Sequence, residues 1–109
     1  MAEAYKNAYL DVTSSAQTLY TNSSGGSGIV VTLRITNVDD ATDDTITADV
    51  IDSASGNARI AYTLSVPADT TVELAGTSKI FLENGDYIQL TGGNASGDLE
   101  AFASILEIT

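Results

Sequence analysis

The sequence predicts an all-β domain, a two-sheet antiparallel β-sandwich or jelly roll of about eight or nine strands. Three observations carry that expectation. Thr, Val, Ile and Tyr recur along the chain, and these side chains suit a pleated, half-buried surface. Clusters of Gly, Asn, Asp and Ser interrupt them at short intervals, the spacing of short strands in a sandwich or barrel. No segment combines a helical apolar period with caps, and no internal repeat returns at a fixed period.

The first strand is expected over Ala8–Val12 and a second over Gln17–Tyr20. Asn22–Gly28 is polar and rich in Gly and Ser, so it reads as a mobile loop. A domain linker is the alternative, but roughly twenty residues precede it, too few for a domain. Ile29–Asn37 is the clearest strand, with Ile29, Val31, Leu33 and Ile35 on one face and Val30, Thr32, Arg34 and Thr36 on the other. Val38–Asp44 is an acidic turn, and Thr45–Asp52 returns with Ile46, Ala48 and Val50 facing one way. Ser53–Asn57 closes a hairpin to Ala58–Val66, where Ile60, Tyr62, Leu64 and Val66 alternate with Arg59, Ala61, Thr63 and Ser65. Pro67 cannot donate to a ladder and ends that strand. Thr70–Leu74 and Lys79–Leu82 are short strands. Asn84-Gly85 signals a tight turn, with Tyr87–Thr91 pairing back across it. Gly92–Gly97 is a glycine-rich turn before the last strand, Leu99–Ile108.

That last strand is apolar on both faces, Leu99, Ala101, Ala103 and Ile105 against Phe102 and Leu106. A half-exposed strand alternates instead. Either the domain covers both sides itself or another subunit buries one of them.

The 109 residues suit one domain, spanning 1–109, with a short flexible N-terminal arm over about residues 1–6. The hydrophobic share of 43% is enough for a core. Cysteine and histidine are both absent, which removes disulfides, thiolate nucleophiles, Ser-His catalysis and His or Cys metal sites. Stability must then come from packing or oligomerisation. Fifteen acidic residues against four basic ones give a net charge of −11, which repels nucleic-acid phosphates and anionic membranes. No nucleic-acid or membrane partner is expected. The opening Met1–Asn7 has no apolar signal region, and no run approaches the ~18 apolar residues of a membrane span. The initial Met suggests a complete product made in a cytoplasm. Asn22 and Asn94 match the glycosylation sequon, which counts as chance without a secretory signal.

Few constellations could carry chemistry. Asp39, Asp40, Asp43 and Asp44 open the densest acidic stretch, and calcium takes about six to eight oxygen ligands. The spacing is not that of an EF-hand, and these residues equally form a solvated tip that resists edge aggregation. Paired carboxylates alone are a weak sign of glycoside hydrolysis, because a β-chain this acidic places some pairs ~5–10 Å apart by accident. The glycine clusters lack the Gly-Lys-Ser/Thr and the helix of a phosphate loop. No enzyme activity, catalytic residue, cofactor or metal is expected. Tyr9 and Tyr20 are expected in the core, and Tyr5 in the arm as an anchor for a neighbour. Arg34 and Arg59 are expected in cross-strand or inter-subunit pairs. The candidate contacts are Tyr5, Lys6, Phe102, Leu106 and Ile108.

Several stretches carry a resemblance. Tyr5–Thr13, Leu19–Asn22, Leu64–Asp69, Leu82–Ile88 and Ser96–Ile108 together resemble short virion structural proteins of tailed phages, particularly of marine and cyanobacterial hosts. The shared motifs are turns and strands rather than chemistry. The resemblance implies a non-enzymatic virion component made in the host cytoplasm, most often a capsid decoration or cement protein forming a homo-oligomer, with a trimer favoured. A neck, tail or fibre-adaptor protein is the alternative; apart from the resemblance, so is a carbohydrate- or receptor-binding module using loops and the Asp39–Asp52 acids, with or without calcium. Its partners would be copies of itself and capsid or tail proteins.

Overall fold

The computed structural model describes residues 3–52, 56–75, 79–94 and 98–109. Among these residues nine strands run in chain order: β1 Glu3–Val12, β2 Gln17–Thr21, β3 Ser27–Asn37, β4 Asp44–Asp52, β5 Gly56–Val66, β6 Thr71–Glu73, β7 Ile80–Leu82, β8 Tyr87–Gly92 and β9 Leu99–Ile108. No helix occurs among the described residues. The strands form two antiparallel sheets. Sheet A is ordered β1-β9-β3-β6, with β7 also on β3, and sheet B is ordered β2-β8-β4-β5.

The chain crosses between the sheets at almost every connection, and among the described strands only β4 and β5 pair as sequence neighbours. Counting β6 and β7 as one interrupted strand gives eight strands in two four-strand sheets, the arrangement of a jelly roll. The predicted pairing across Asn84-Gly85 is therefore corrected. The turn is there, with Gly85 at φ 96° and the Asp86 N–H donating to Glu83 O at 3.0 Å. It joins β7 of sheet A to β8 of sheet B, so Tyr87–Thr91 pairs with β2 and β4 instead.

The core fills the space between the sheets. Val30, Leu33, Ile35, Leu99 and Ile105 from sheet A meet Ile46, Ile88 and Leu90 from sheet B, all fully or almost fully buried. The strict alternation expected along β3 breaks at a register shift against β9 between Val30 and Thr32. Such a bulge adds one residue to one strand and flips the faces that follow. Val30 thus joins Leu33 and Ile35 inside, while Ile29 turns outward and Val31 is 38% exposed. Strand β5 carries two shifts against β4, and Thr63 takes a positive φ of 44°. Tyr62 and Leu64 consequently face solvent, where alternation placed them with buried Val66.

The predicted flexible arm over residues 1–6 is corrected from residue 3 onward. Glu3–Lys6 pair in continuous register with Ile105–Ile108 of β9. Met1 and Ala2 lie outside the described residues. The Asn22–Gly28 loop is also more structured than its composition implies. The fully buried Asn22 donates from Nδ2 to Leu82 O at 3.0 Å and Gly26 O at 3.1 Å, and Ser24 Oγ donates to Asn22 Oδ1 at 2.7 Å. Asn37 does the same at the other end of β3, donating to Thr42 O and Val66 O, both at 2.9 Å. Two buried asparagines thus hold the loops that reverse the chain, because a buried amide must find partners.

Candidate functional site

Among the described residues, no layer of this chain lies over the outer face of sheet A. Cross-strand register sets its side chains in transverse rows. Tyr5 of β1 is opposite Leu106 of β9, Leu106 is opposite Ile29 of β3, and Ile29 is opposite Phe81 of β7. Four apolar side chains therefore cross the sheet in line. Tyr5 is 82% exposed and Phe81 59%, while Leu106 and Ile29 are half-buried. Next to them runs a polar row, Asn7, Ser104 and Thr32, in which Ser104 Oγ donates to Asn7 Oδ1 at 3.2 Å.

Beyond it lies a row of Tyr9, Phe102, Arg34 and Glu73. The Tyr9 and Phe102 rings are 5.3 Å apart and tilted by 48°, and the Arg34 guanidinium lies 5.4 Å from the Phe102 centroid. Glu73 fills the gap where β6 stops short of β7. Its Oε2 accepts from Leu33 N at 2.8 Å and Ala75 N at 3.0 Å, and its Oε1 accepts from Thr32 Oγ1. Burial pushes the Glu73 carboxyl up, but these hydrogen bonds and Arg34 outweigh it and hold it below the usual carboxylate value. A groove of about 260 Å³ opens beside Tyr9 and Phe102, lined also by Asp11, Thr36 and Glu100.

The structure brings Tyr5, Phe102, Leu106 and Ile108 onto this one face. Lys6 is separated from them. It sits on the opposite side of β1 with its Nζ 3.6 Å from Glu107 Oε1. Glu107 is buried and also accepts the Tyr20 hydroxyl from sheet B. Burial first, then that hydrogen bond and the neighbouring charge, push the Tyr20 phenol far above its ordinary value. Tyr20 packs against the core as expected. Tyr9 does not: it is 71% exposed on the outer face, because inward positions of β1 are the even ones, Ala8, Leu10 and Val12. Sequence reading missed Ile29 and Phe81 as members of the face. Only the β3 bulge and the β7 pairing put them there, and neither has a local sequence signal.

The acidic stretch serves the backbone. Asp39 Oδ1 accepts from Ala41 N at 2.8 Å and Thr42 N at 3.0 Å, which holds its carboxyl below the usual value. Asp43 Oδ1 accepts from Ala68 N at 3.0 Å. Asp44 is buried, and its Oδ1 accepts from Thr45 N at 2.7 Å and Gly93 N at 3.0 Å. Asp40 is exposed at the tip. No group of three or more acidic side chains positioned for a metal ion occurs among the described residues. Arg59 answers its expected role, with Nε 3.5 Å from Asp49 Oδ1 and its guanidinium 4.0 Å from the Tyr62 centroid.

No family model and no curated protein matches this chain. Among solved structures it is similar to a chain from Bacillus endospore appendages, described as a novel family of disulfide-linked pili. The TM-score is 0.57 at 12% identity, over 96% of this chain and 85% of that one. At that identity the likeness is one of fold, and it supports the two-sheet β-sandwich described above.

Proposed function

We propose that this chain is a non-enzymatic structural subunit that works assembled with other protein chains. The observation that carries the reading is the row Tyr5–Leu106–Ile29–Phe81, apolar across a whole sheet and uncovered by any described residue of the domain. Burying a large apolar side chain is worth roughly 1.5–3 kcal/mol, and Tyr5 and Phe81 still have most of that to gain. Association costs about 4–15 kcal/mol, so this row alone gives weak pairing. A symmetric assembly that repeats the contact, with a trimer favoured, overcomes that cost.

The assembly we favour is a phage particle, with the chain as a head decoration or cement protein. The stretches that resemble tailed-phage virion proteins support this, as does a jelly-roll shape with one open face. Neck, tail or fibre-adaptor roles rest on the same resemblance. The appendage neighbour supports the broader reading of an assembling subunit. That family is disulfide-linked, and a chain without cysteine cannot be joined in that way. Antibody labelling of phage particles in negative stain tests the address: decoration predicts label over the head, and label confined to the tail removes the cement role.

A second reading, a carbohydrate- or receptor-binding module, has the groove beside Tyr9 and Phe102 in its favour. Aromatic rings with flanking carboxylates can stack on and hydrogen-bond to a sugar. Saturation-transfer NMR against simple sugars checks it, and an absence of transfer to every sugar tried counts against it.

A further inference from the structure

We infer that the free edge of β1 pairs antiparallel with β1 of a second copy of this chain, with Asn7 facing Asn7 across a two-fold axis. This rests on the reading that the chain assembles with itself, and it adds a two-fold edge contact joining two chains, separate from the contact made by the open face.

The two sheets have four edges, and they are not alike. A sheet edge is a row of unpaired N–H and C=O groups, and natural edges are blunted by shortness, bulges or strong twist. Three of the four edges here are. On the far side of sheet A, β6 and β7 have three residues each. In sheet B, β2 has five residues and a register shift between Thr18 and Tyr20. The other edge of sheet B, β5, has two register shifts and the positive φ at Thr63. Strand β1 is neither short nor bulged, and its central charge, Lys6, is turned to Glu107 of its own chain. Its ten residues keep one register against β9, from Glu3 opposite Ile108 to Val12 opposite Leu99. It contains no Gly and no Pro.

The occupant follows from composition and parity. Over Ala4–Leu10 the strand has no carboxylate, in a chain of net charge −11. Strands β2 and β5 also lack carboxylates, so it is the unbroken length of β1 that singles it out, and the like charges this register sets opposite, Glu3 and Asp11, fall at its two ends. Glu3–Asn7 is also exposed on both faces, so this half of β1 contributes little to its own core. In antiparallel pairing about Asn7, odd residues meet odd residues and the outer faces of both sheets stay continuous. Tyr5 then faces the second copy's Tyr9, and the row Phe81–Ile29–Leu106–Tyr5 runs on into the second copy's Tyr9–Phe102 pair. Lys6 faces Ala8 rather than another lysine. Main-chain pairing adds the free energy that the apolar row alone lacks.

A chain without cysteine makes the test direct. Asn7→Cys is oxidised alone, Tyr5→Cys is oxidised mixed with Tyr9→Cys, and Asn57→Cys on the β5 edge serves as control, with folding checked by circular dichroism. The inference predicts disulfide dimers from Asn7→Cys and from the mixture, at least about ten-fold above the control, because paired strands raise the effective thiol concentration. Neither cross-link exceeding the control overturns it. Light scattering of the unmodified chain separates the two levels. A monomer removes the self-assembly reading together with this contact, while an oligomer without either cross-link removes this contact alone.

Discussion

Tyr20 and Glu107 join the two sheets, the phenol of β2 donating to a buried carboxylate of β9. Lys6 of β1 approaches the same carboxylate at 3.6 Å. The first and last strands and the opposite sheet therefore share one polar knot, on the inner side of the end of β1 whose outer side carries Tyr5.

That knot has a pH signature. The folded chain holds the Tyr20 proton more tightly than the unfolded chain does. Its stabilisation is therefore present below the ordinary tyrosine value of about 10 and is lost as pH rises beyond it. Phenolate absorbance should show a late-ionising share that disappears in Tyr20→Phe and shifts to lower pH in Glu107→Gln. An unchanged titration in both variants contradicts the account.

On the acid side the sign reverses. Glu73 and Asp39 are both held below their ordinary values, so what they contribute is present at neutral pH and is lost as pH falls through the folded values. Thermal melts should show the melting temperature falling below about pH 4, with a shallower fall in Glu73→Gln. An equal slope in variant and parent places the acid sensitivity elsewhere.

Asn37→Ala removes both donors to Thr42 O and Val66 O and the acceptor for Asp39 N. Buried carbonyls left without partners cost about 1–3 kcal/mol. Urea unfolding should record a loss in that range, whereas Asn57→Ala on the exposed edge should change stability by less than about 0.5 kcal/mol.

Gly26 is glycine because of close approach. A Cβ there would stand 2.1 Å from Ile108 O and 2.9 Å from Thr109 Cα. Both contacts are backbone and cannot swing away. Gly26→Ala should cost about 1–3 kcal/mol by overpacking. Gly25→Ala, where a Cβ meets nothing within 4 Å, should suffer only from its positive φ of 85°.

The fold class was legible because β-sandwiches write themselves in strand composition and turn spacing. Strand β9 shows how far that went: both its faces are apolar in sequence, and in the structure Leu99 and Ile105 are in the core while Phe102 and Leu106 lie on the open face. Pairing was less legible. Asn84-Gly85 looks like a hairpin turn, but a turn specifies a reversal and not which sheet the next strand joins. The bulges in β3 and β5 shifted Ile29, Tyr62 and Leu64 outward, and an inserted residue reads the same as any other in a periodic pattern. Tyr9 was misplaced for a related reason. Aromatic residues are usually buried, and the parity of β1 became visible only once Val12 was seen to close its core-facing side.

The central claim is that the open face of sheet A is where this chain meets its own kind. Sedimentation equilibrium over a micromolar range tests it most directly, with the parent beside Tyr5→Ser and Phe81→Ser. Both side chains are mostly exposed, so both variants should melt within a few degrees of the parent. The account predicts a discrete oligomer for the parent and a shift toward monomer in each variant. A parent that stays monomeric, or variants that assemble as well as the parent, would contradict it.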